Sequence, residues 1–417
     1  MVPLWQAARA WFAISLQTFG GPAGQIAVMQ RHLVDERRWI GQNRFLHALN
    51  YCMLLPGLLA LLALSAVYVR FGDTVVVTSL FAGLAPAVVA VVAQAVWRVG
   101  TRTLANPALV GFAVAAFLAL AVFAVPFPVV VAAAAPAGWA LHRLRPGLVA
   151  ARGGPPAADA GPEPLIPDGA LHHDRPSARR AAVILAVGLL AWFAPVALVA
   201  ATTGVSSIYT RQGLFFSGTA VVTFGGAYAV LAYVAQRAVE HFGWLSAGDM
   251  IRGLALAEST PGPLIMVVQF VAFLGAYHHP GTLGPWTAGI VASLLTTWVT
   301  FVPCFLFVLL GAPWVERLRG NRGLSAALTG ITAAVVGVIA NLGLYFAVHT
   351  LFGRVRILSA GPLHLQLPQL STVRPVAVAV AAVAAVLILA LRWPVLRVLG
   401  VCAALGLAAG LAGLPVG

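Results

Sequence analysis

The chain has 417 residues, of which 61% are hydrophobic and 9% charged, at a mean hydropathy of +0.94. That composition excludes an ordinary soluble domain, and serial apolar runs of roughly 18 residues or more indicate a polytopic helical membrane protein rather than a barrel. All 25 basic residues are arginines in short loops between apolar stretches, so the net charge of +14 reads as a topology signal, not as a nucleic-acid surface.

In chain order, residues 4–34 read as a re-entrant hairpin broken at Gly20-Gly21-Pro22. The first residues carry Arg9 and lack a cleavage-type apolar core, so they are read as part of the structure. Crossings are expected over 44–69, 75–97, 106–124 and 126–142. Residues 145–178, rich in Pro, Gly, Ala and Arg and carrying His172-His173, read as a cytoplasmic linker. A crossing at 182–203 follows, then hairpins at 209–239 around Gly225-Gly226 and at 250–277 around Pro261-Gly262-Pro263. Further crossings are expected at 286–311, 324–350, 374–391 and 397–414. The domain plan is thus a first repeat at 1–144, the linker, and a second repeat at 179–417. Cys52, Cys304 and Cys402 stand singly in apolar segments, with spacing that suits neither a metal site nor a disulfide framework.

Two registers of internal repetition organise this series. Phe19-Gly20-Gly21, Trp39 and Pro56-Gly57 return as Phe224-Gly225-Gly226, Trp244 and Pro261-Gly262, each 205 residues later. From Pro56 onward the match shifts to 247 residues, pairing Gly83 with Gly330 and Gln94 with Asn341. The shift leaves the first repeat 42 residues short, missing the counterpart of Pro263 through about residue 302. Arginines fall oppositely in equivalent loops: Arg31, Arg37, Arg38 and Arg44 against Arg237 and Arg252, then Arg70 alone against Arg317, Arg319 and Arg322. Opposite bias in equivalent loops is the mark of an inverted-topology repeat. The threading places the N-terminus and linker in the cytoplasm and Gly417 outside, with 18 arginines cytoplasmic and 7 not. The expected fold is therefore an all-α polytopic membrane protein, its two homologous halves forming an inverted repeat with re-entrant helical hairpins.

Glycine breaks in apolar helices persist where protein or a watery cavity satisfies the backbone, and a helix restarting after a break presents free N–H groups to an anion. Gly20, Gly21, Pro22, Gln25, Gly225 and Gly226 are accordingly candidates for substrate binding; close packing through small residues is the competing account. Ser259, Thr260, Pro261, Gly262 and Pro263 form the second candidate cluster, with Glu258 beside it. Two readings of Glu258 stand: a carboxylate carrying a coupling proton, or a near-surface partner of Arg252. Arg31, Arg237, Asn50, Gln94, Gln269 and Asn341 are candidates for the pathway or its coupling. For Arg31 and Arg237 the alternative is interfacial snorkelling, and for the amides it is interhelical hydrogen bonding. Gln94 and Asn341, at equivalent positions, are expected to face each other across a pseudo-twofold axis. No catalytic motif, cofactor fingerprint or metal-ligand pattern appears, so an enzyme is not expected.

Five segments carry a family resemblance. They are Phe19 to Ala27 (FGGPAGQIA), Leu46 to Gly57 (LHALNYCMLLPG), Phe224 to Tyr228 (FGGAY), Gly253 to Leu264 (GLALAESTPGPL) and Thr296 to Cys304 (TTWVTFVPC). In these the chain resembles the chromate ion transporters in their long, two-domain form. The resemblance implies efflux of chromate, or of an isosteric oxyanion such as sulfate, driven by the proton motive force across a bacterial inner membrane. The implied partners are that oxyanion and the lipid bilayer, with a homodimer as an assembly open to the chain. One departure is the first Pro-Gly, which runs into Leu58-Leu59-Ala60 where the family carries a Pro-Gly-Pro segment followed by polar residues. The alternative function is thus a transport-impaired member with a structural or partner-binding role.

Overall fold

The computed structural model describes residues 3–17, 28–37, 39, 42–145, 178–223, 226–260, 262–318, 321–361 and 363–415. The sequence-based linker therefore lies almost wholly outside the described residues. The protein is an all-α polytopic membrane protein. In order its helices are α1 (Leu4–Gln17), α2 (Gln42–Phe71), α3 (Val75–Thr103), α4 (Pro107–Ala121), α5 (Phe127–Leu144), α6 (Ala178–Thr203) and α7 (Ile208–Val221). There follow α8 (Ala227–Ala235), α9 (Ala247–Ser259), α10 (Val267–His278), α11 (Pro285–Leu318), α12 (Arg322–Leu351), α13 (Pro375–Ala385) and α14 (Val395–Leu411). Among the described residues, five helical stretches are long and apolar enough to cross a membrane: Val75–Thr103, Phe127–Leu144, Ala178–Thr203, Pro285–Gly311 and Arg322–Leu351.

Local chemistry sets the helix starts. Thr74, Asn106, Ser207 and Asn321 each accept a backbone N–H from their own first turn, and Ser246 forms a reciprocal capping box with Asp249. Proline in the first turn of α4 and α13 fits where no intrahelical N–H is required. The short π-helical segments Arg31–Glu36 and Gln236–His241 stand 205 residues apart and end alike. Trp39 donates its N–H to the Leu33 carbonyl and Trp244 to the Ala238 carbonyl, both at 2.8 Å.

Sequence reading put only a loop between the crossings at 324–350 and 374–391. A β-hairpin occupies it: β1 (Val355–Ala360) pairs antiparallel with β2 (Leu363–Pro368), in a register running from Val355↔Pro368 to Ala360↔Leu363. Gly361 turns the chain at φ +58. The alternation in Leu363-His364-Leu365-Gln366-Leu367 was the available signal.

Burial is uneven. Residues Val267 to Ala276 of α10 are all buried, as in a helix enclosed on every side, whereas only 11% of the apolar window of α6 is covered by protein. α10 lies against α2 and α11, and α12 packs on α8.

The long helices α3 and α12 exchange partners. α3 is packed by α13 and α14, while α12 is packed by α4 and α5. Gly83 lies against the Cys402 carbonyl and Gly406; its equivalent Gly330 lies against the Ala134 carbonyl and Gly138. Cys402 and Gly406 in turn stand 268 residues after Ala134 and Gly138, a third register that sequence reading missed. α3 and α12 also touch each other. Gly100 lies against Val336 and Gly343 against Val92, so the pair runs antiparallel. Gln94 and Asn341 fall between these contacts, level with each other, yet no hydrogen bond links them.

Candidate functional site where broken helices meet

Four helical arms, like α1 and the expected crossing α4, are too short to span a hydrocarbon layer about 30 Å thick. At 1.5 Å per residue, α7, α8 with its π-helical extension, α9, and the segment Leu264–His278 each span only about 20 Å. They form two hairpins. α7 turns into α8 at Gly226, and α9 turns into Leu264–His278 at Gly262. Gly226 holds φ +98 and Gly262 φ +146, backbone states that L side chains rarely adopt. A Cβ on Gly226 would touch nothing within 4 Å, so conformation rather than space requires glycine there.

The hairpin tips meet. The Tyr228 hydroxyl, one residue into α8, donates to Oε1 of Glu258 at the end of α9. Glu258 is 2% exposed, and the Arg98 guanidinium of α3 attracts its carboxylate electrostatically. Two helix starts lie beside this pair, at Ala227 and at Leu264, and neither has a side-chain cap. Their first N–H groups face the tip region with the positive ends of their helices.

Glu258 does not pair with Arg252, so that alternative from the sequence is corrected. Arg252 faces the opposite end of α9. It donates to the Tyr68 hydroxyl at 2.8 Å, lies 3.8 Å from Asp249 Oδ1, and rests on the Tyr68 and Phe81 rings. Tyr68 in turn donates to Asp249 at 2.6 Å. Helical geometry gives the reason: residues 252 and 258 are six apart, on different faces and about 9 Å along the axis.

The other candidates divide. Ser259 and Thr260 stand at the tip, but their hydroxyls donate back to the Leu256 and Ala257 carbonyls, closing the last turn of α9. Gly226, Gly262 and Pro263 shape the breaks. Gln269 is buried and donates to Ser293 Oγ at 3.1 Å, tying α10 to α11, while its Oε1 has no partner. Arg31 stays on the surface, donating to Glu36 at 2.8 Å, and that bond holds the Glu36 carboxyl below its usual range. Arg237 lines a cavity at the far end of α8's extension. Asn50 lies within α2. Gly20, Gly21, Pro22, Gln25, Gly225 and Pro261 lie outside the described residues.

Sequence reasoning missed Arg98, Tyr68 and Asp249. For Arg98 there was a signal: it follows Gln94 by four residues, one helical turn along the same face. Tyr68 and Asp249 are 181 residues apart, and nothing local announces their bond.

Long apolar spans, with short helices broken in pairs and a buried carboxyl group at their junction, define the class of polytopic helical membrane proteins. The chromate transporter family model matches residues 5–62, 51–139 and 210–407, and the chain belongs to that family. It is 30% identical over 364 residues to the "Chromate transport protein" of Pseudomonas aeruginosa, covering 78% of this chain and 76% of that one. It is 24% identical over 372 residues to the "Chromate transport protein" of Cupriavidus metallidurans, covering 77% of each. No solved structure matches the chain.

Proposed function

We propose that the protein is a secondary transporter exporting chromate, or a related tetrahedral oxyanion such as sulfate, across the inner membrane with coupling to the proton motive force. The observation that carries this reading is the pair of uncapped helix starts beside the buried Tyr228–Glu258 bond. Free N–H groups and positive helix ends favour an anion, and Glu258 supplies a protonatable group at the same place. Chromate uptake into everted vesicles tests the reading. Protonophore-sensitive accumulation is expected, and its absence would count decisively against export.

The two halves would form an inverted-topology repeat. The antiparallel run of α3 and α12 and their mirrored glycine contacts support that arrangement. With the N-terminus and linker cytoplasmic, a cysteine placed at Ala157 in a chain lacking the three native cysteines should resist an impermeant thiol reagent added to intact cells. Labelling from outside would reverse the threading.

A second reading, a member impaired in transport with a structural or partner-binding role, is favoured by one observation. α2 runs unbroken from Gln42 to Phe71 through Pro56-Gly57, whereas Gly262, the equivalent of Gly57, lies at a break. The first two family matches overlap at 51–62, across that same pair, which supports a shortened repeat. Inserting a Pro-Gly-Pro hairpin after Gly57 separates the readings. Transport by the native chain supports the first, and transport by the repaired chain alone supports the second.

A further inference from the structure

α8 and its π-helical extension lead from Tyr228 to a cavity of about 500 Å3, enclosed by Tyr233, Gln236, Arg237, Glu240 and His241 together with Ala124 and Pro126 from the α4–α5 turn. The β-hairpin is pinned beside it. Gln366 of β2 donates to Glu240 Oε1 at 2.8 Å, and the His364 N–H donates to the Val122 carbonyl at 2.7 Å. The Arg237 guanidinium sits 5.3 Å from the Phe242 ring centroid, and Phe242 stacks on Trp244 at 4.4 Å. Its Nε is buried and has no hydrogen-bond partner. Glu240 is held by Gln366, and among the described residues no ion pair joins it to Arg237. Tyr345 of α12 brings a second buried, unpartnered hydroxyl close to Glu240.

Among the described residues Arg237 makes no ion pair, so the outer edge of its guanidinium is open to an acceptor from the cavity it lines, and the fork of an arginine matches a tetrahedral oxyanion. We propose that this cavity is a second oxyanion site, a transit station about 14 Å along the helix from the Tyr228–Glu258 junction. Arg237 is its anchor, with Gln236, Tyr233 and His241 at its walls. Glu240, fixed by the β-hairpin, opposes the bound anion by like charge and so keeps its residence short. The inference rests on the reading that the cargo is a tetrahedral oxyanion.

Equilibrium dialysis of the full-length protein in lipid-free detergent, with labelled sulfate and with chromate at fixed ionic strength, tests it. Wild type should show two classes of site. Arg237→Gln should weaken one class about tenfold or more, as loss of a charge-assisted hydrogen bond does. Glu240→Gln should tighten the same class several-fold. The opposite signs exclude a general loss of fold, and Glu240→Gln carries the test alone if the Arg237 variant does not fold. Unchanged binding in a folded Arg237→Gln protein, or no change in Glu240→Gln, overturns the proposal. Displacement of sulfate by added phosphatidylglycerol assigns the cavity to a lipid phosphate and overturns it as well. Arg237-dependent sulfate binding in a protein that moves no chromate leaves this site standing and removes the transport reading instead.

Discussion

Glu258 and Tyr228 meet through one hydrogen bond at the junction of two broken helices. Neither residue has a chemical equivalent in the first repeat, where the positions 205 residues earlier hold Met53 and Ala23. The carboxyl–phenol pair at the junction is therefore single, not duplicated. Glu258→Gln keeps size and hydrogen bonding but cannot ionise, so transport by that variant should lose its pH dependence while the protein stays folded. A vesicle assay across pH decides this, and an unchanged profile would remove Glu258 from coupling. Tyr228→Phe strips the buried carboxyl group of its donor and should destabilise the protein by about 1–3 kcal/mol. With Glu258→Ala, which removes the acceptor, the double variant with Tyr228→Phe should be destabilised by clearly less than the sum of the two single effects, because both act on one bond. Thermal unfolding in detergent measures the cycle, and full additivity would place the residues in separate environments. Glu258 itself was legible as a carboxylate in an apolar run. Its partner was not, because the phenol reaches it only after two hairpins have folded together.

At the scale of elements, one duplicated motif has two outcomes. Gly262 lies at a break, and its equivalent Gly57 sits inside a helix. The residue that follows decides. Pro263 cannot donate a backbone N–H and restricts Gly262 to extended or glycine-only states, whereas Leu58-Leu59-Ala60 are strong helix formers. Proline alone does not end an apolar helix, as Pro86, Pro136 and Pro195 lie within α3, α5 and α6. The hairpin bounds read from sequence, 209–239 and 250–277, agree with the arms seen, because capping residues and Gly or Pro breaks are local signals. Gly226→Ala and Gly218→Ala offer a clean contrast, since an added methyl meets nothing at either position. At Gly226 the φ of +98 should make alanine destabilising by about 1–3 kcal/mol. At Gly218, inside α7, alanine should be neutral or stabilise by up to about 1 kcal/mol. Equal melting temperatures for the two variants would contradict the backbone argument.

For the whole molecule, the exchange of helix pairs makes each half complete the other. α3 depends on α13 and α14, and α12 depends on α4 and α5. Splitting the chain within residues 146–177 and expressing the parts separately should leave each unstable, while co-expression should restore a complex that copurifies. A stably folded half on its own would contradict the interlock. The crossings themselves allow a sharper test. A Cβ on Gly83 would lie 1.8 Å from the Cys402 carbonyl oxygen, and on Gly330 2.7 Å from that of Ala134. Gly83→Ala and Gly330→Ala should therefore each destabilise by about 1–3 kcal/mol, by forcing close-packed backbones apart. Gly111→Ala, with open space around it, should not.

Sequence by itself determined the membrane class, the family and the places of the breaks at Gly226 and Gly262. The class and the breaks follow from local quantities: apolar run length against bilayer thickness, caps, and the backbone limits of glycine and proline. Tertiary structure alone decided that Glu258 meets Tyr228 and not Arg252, that Arg237 faces a cavity with its Nε unpaired, and which helices cross at Gly83 and Gly330. In a bilayer, apolar side chains are nearly indifferent between lipid and a neighbouring helix, so hydrophobic pattern does not choose helix partners. That choice falls to close contacts of small residues and to a few buried polar groups, whose partners lie far away in the chain.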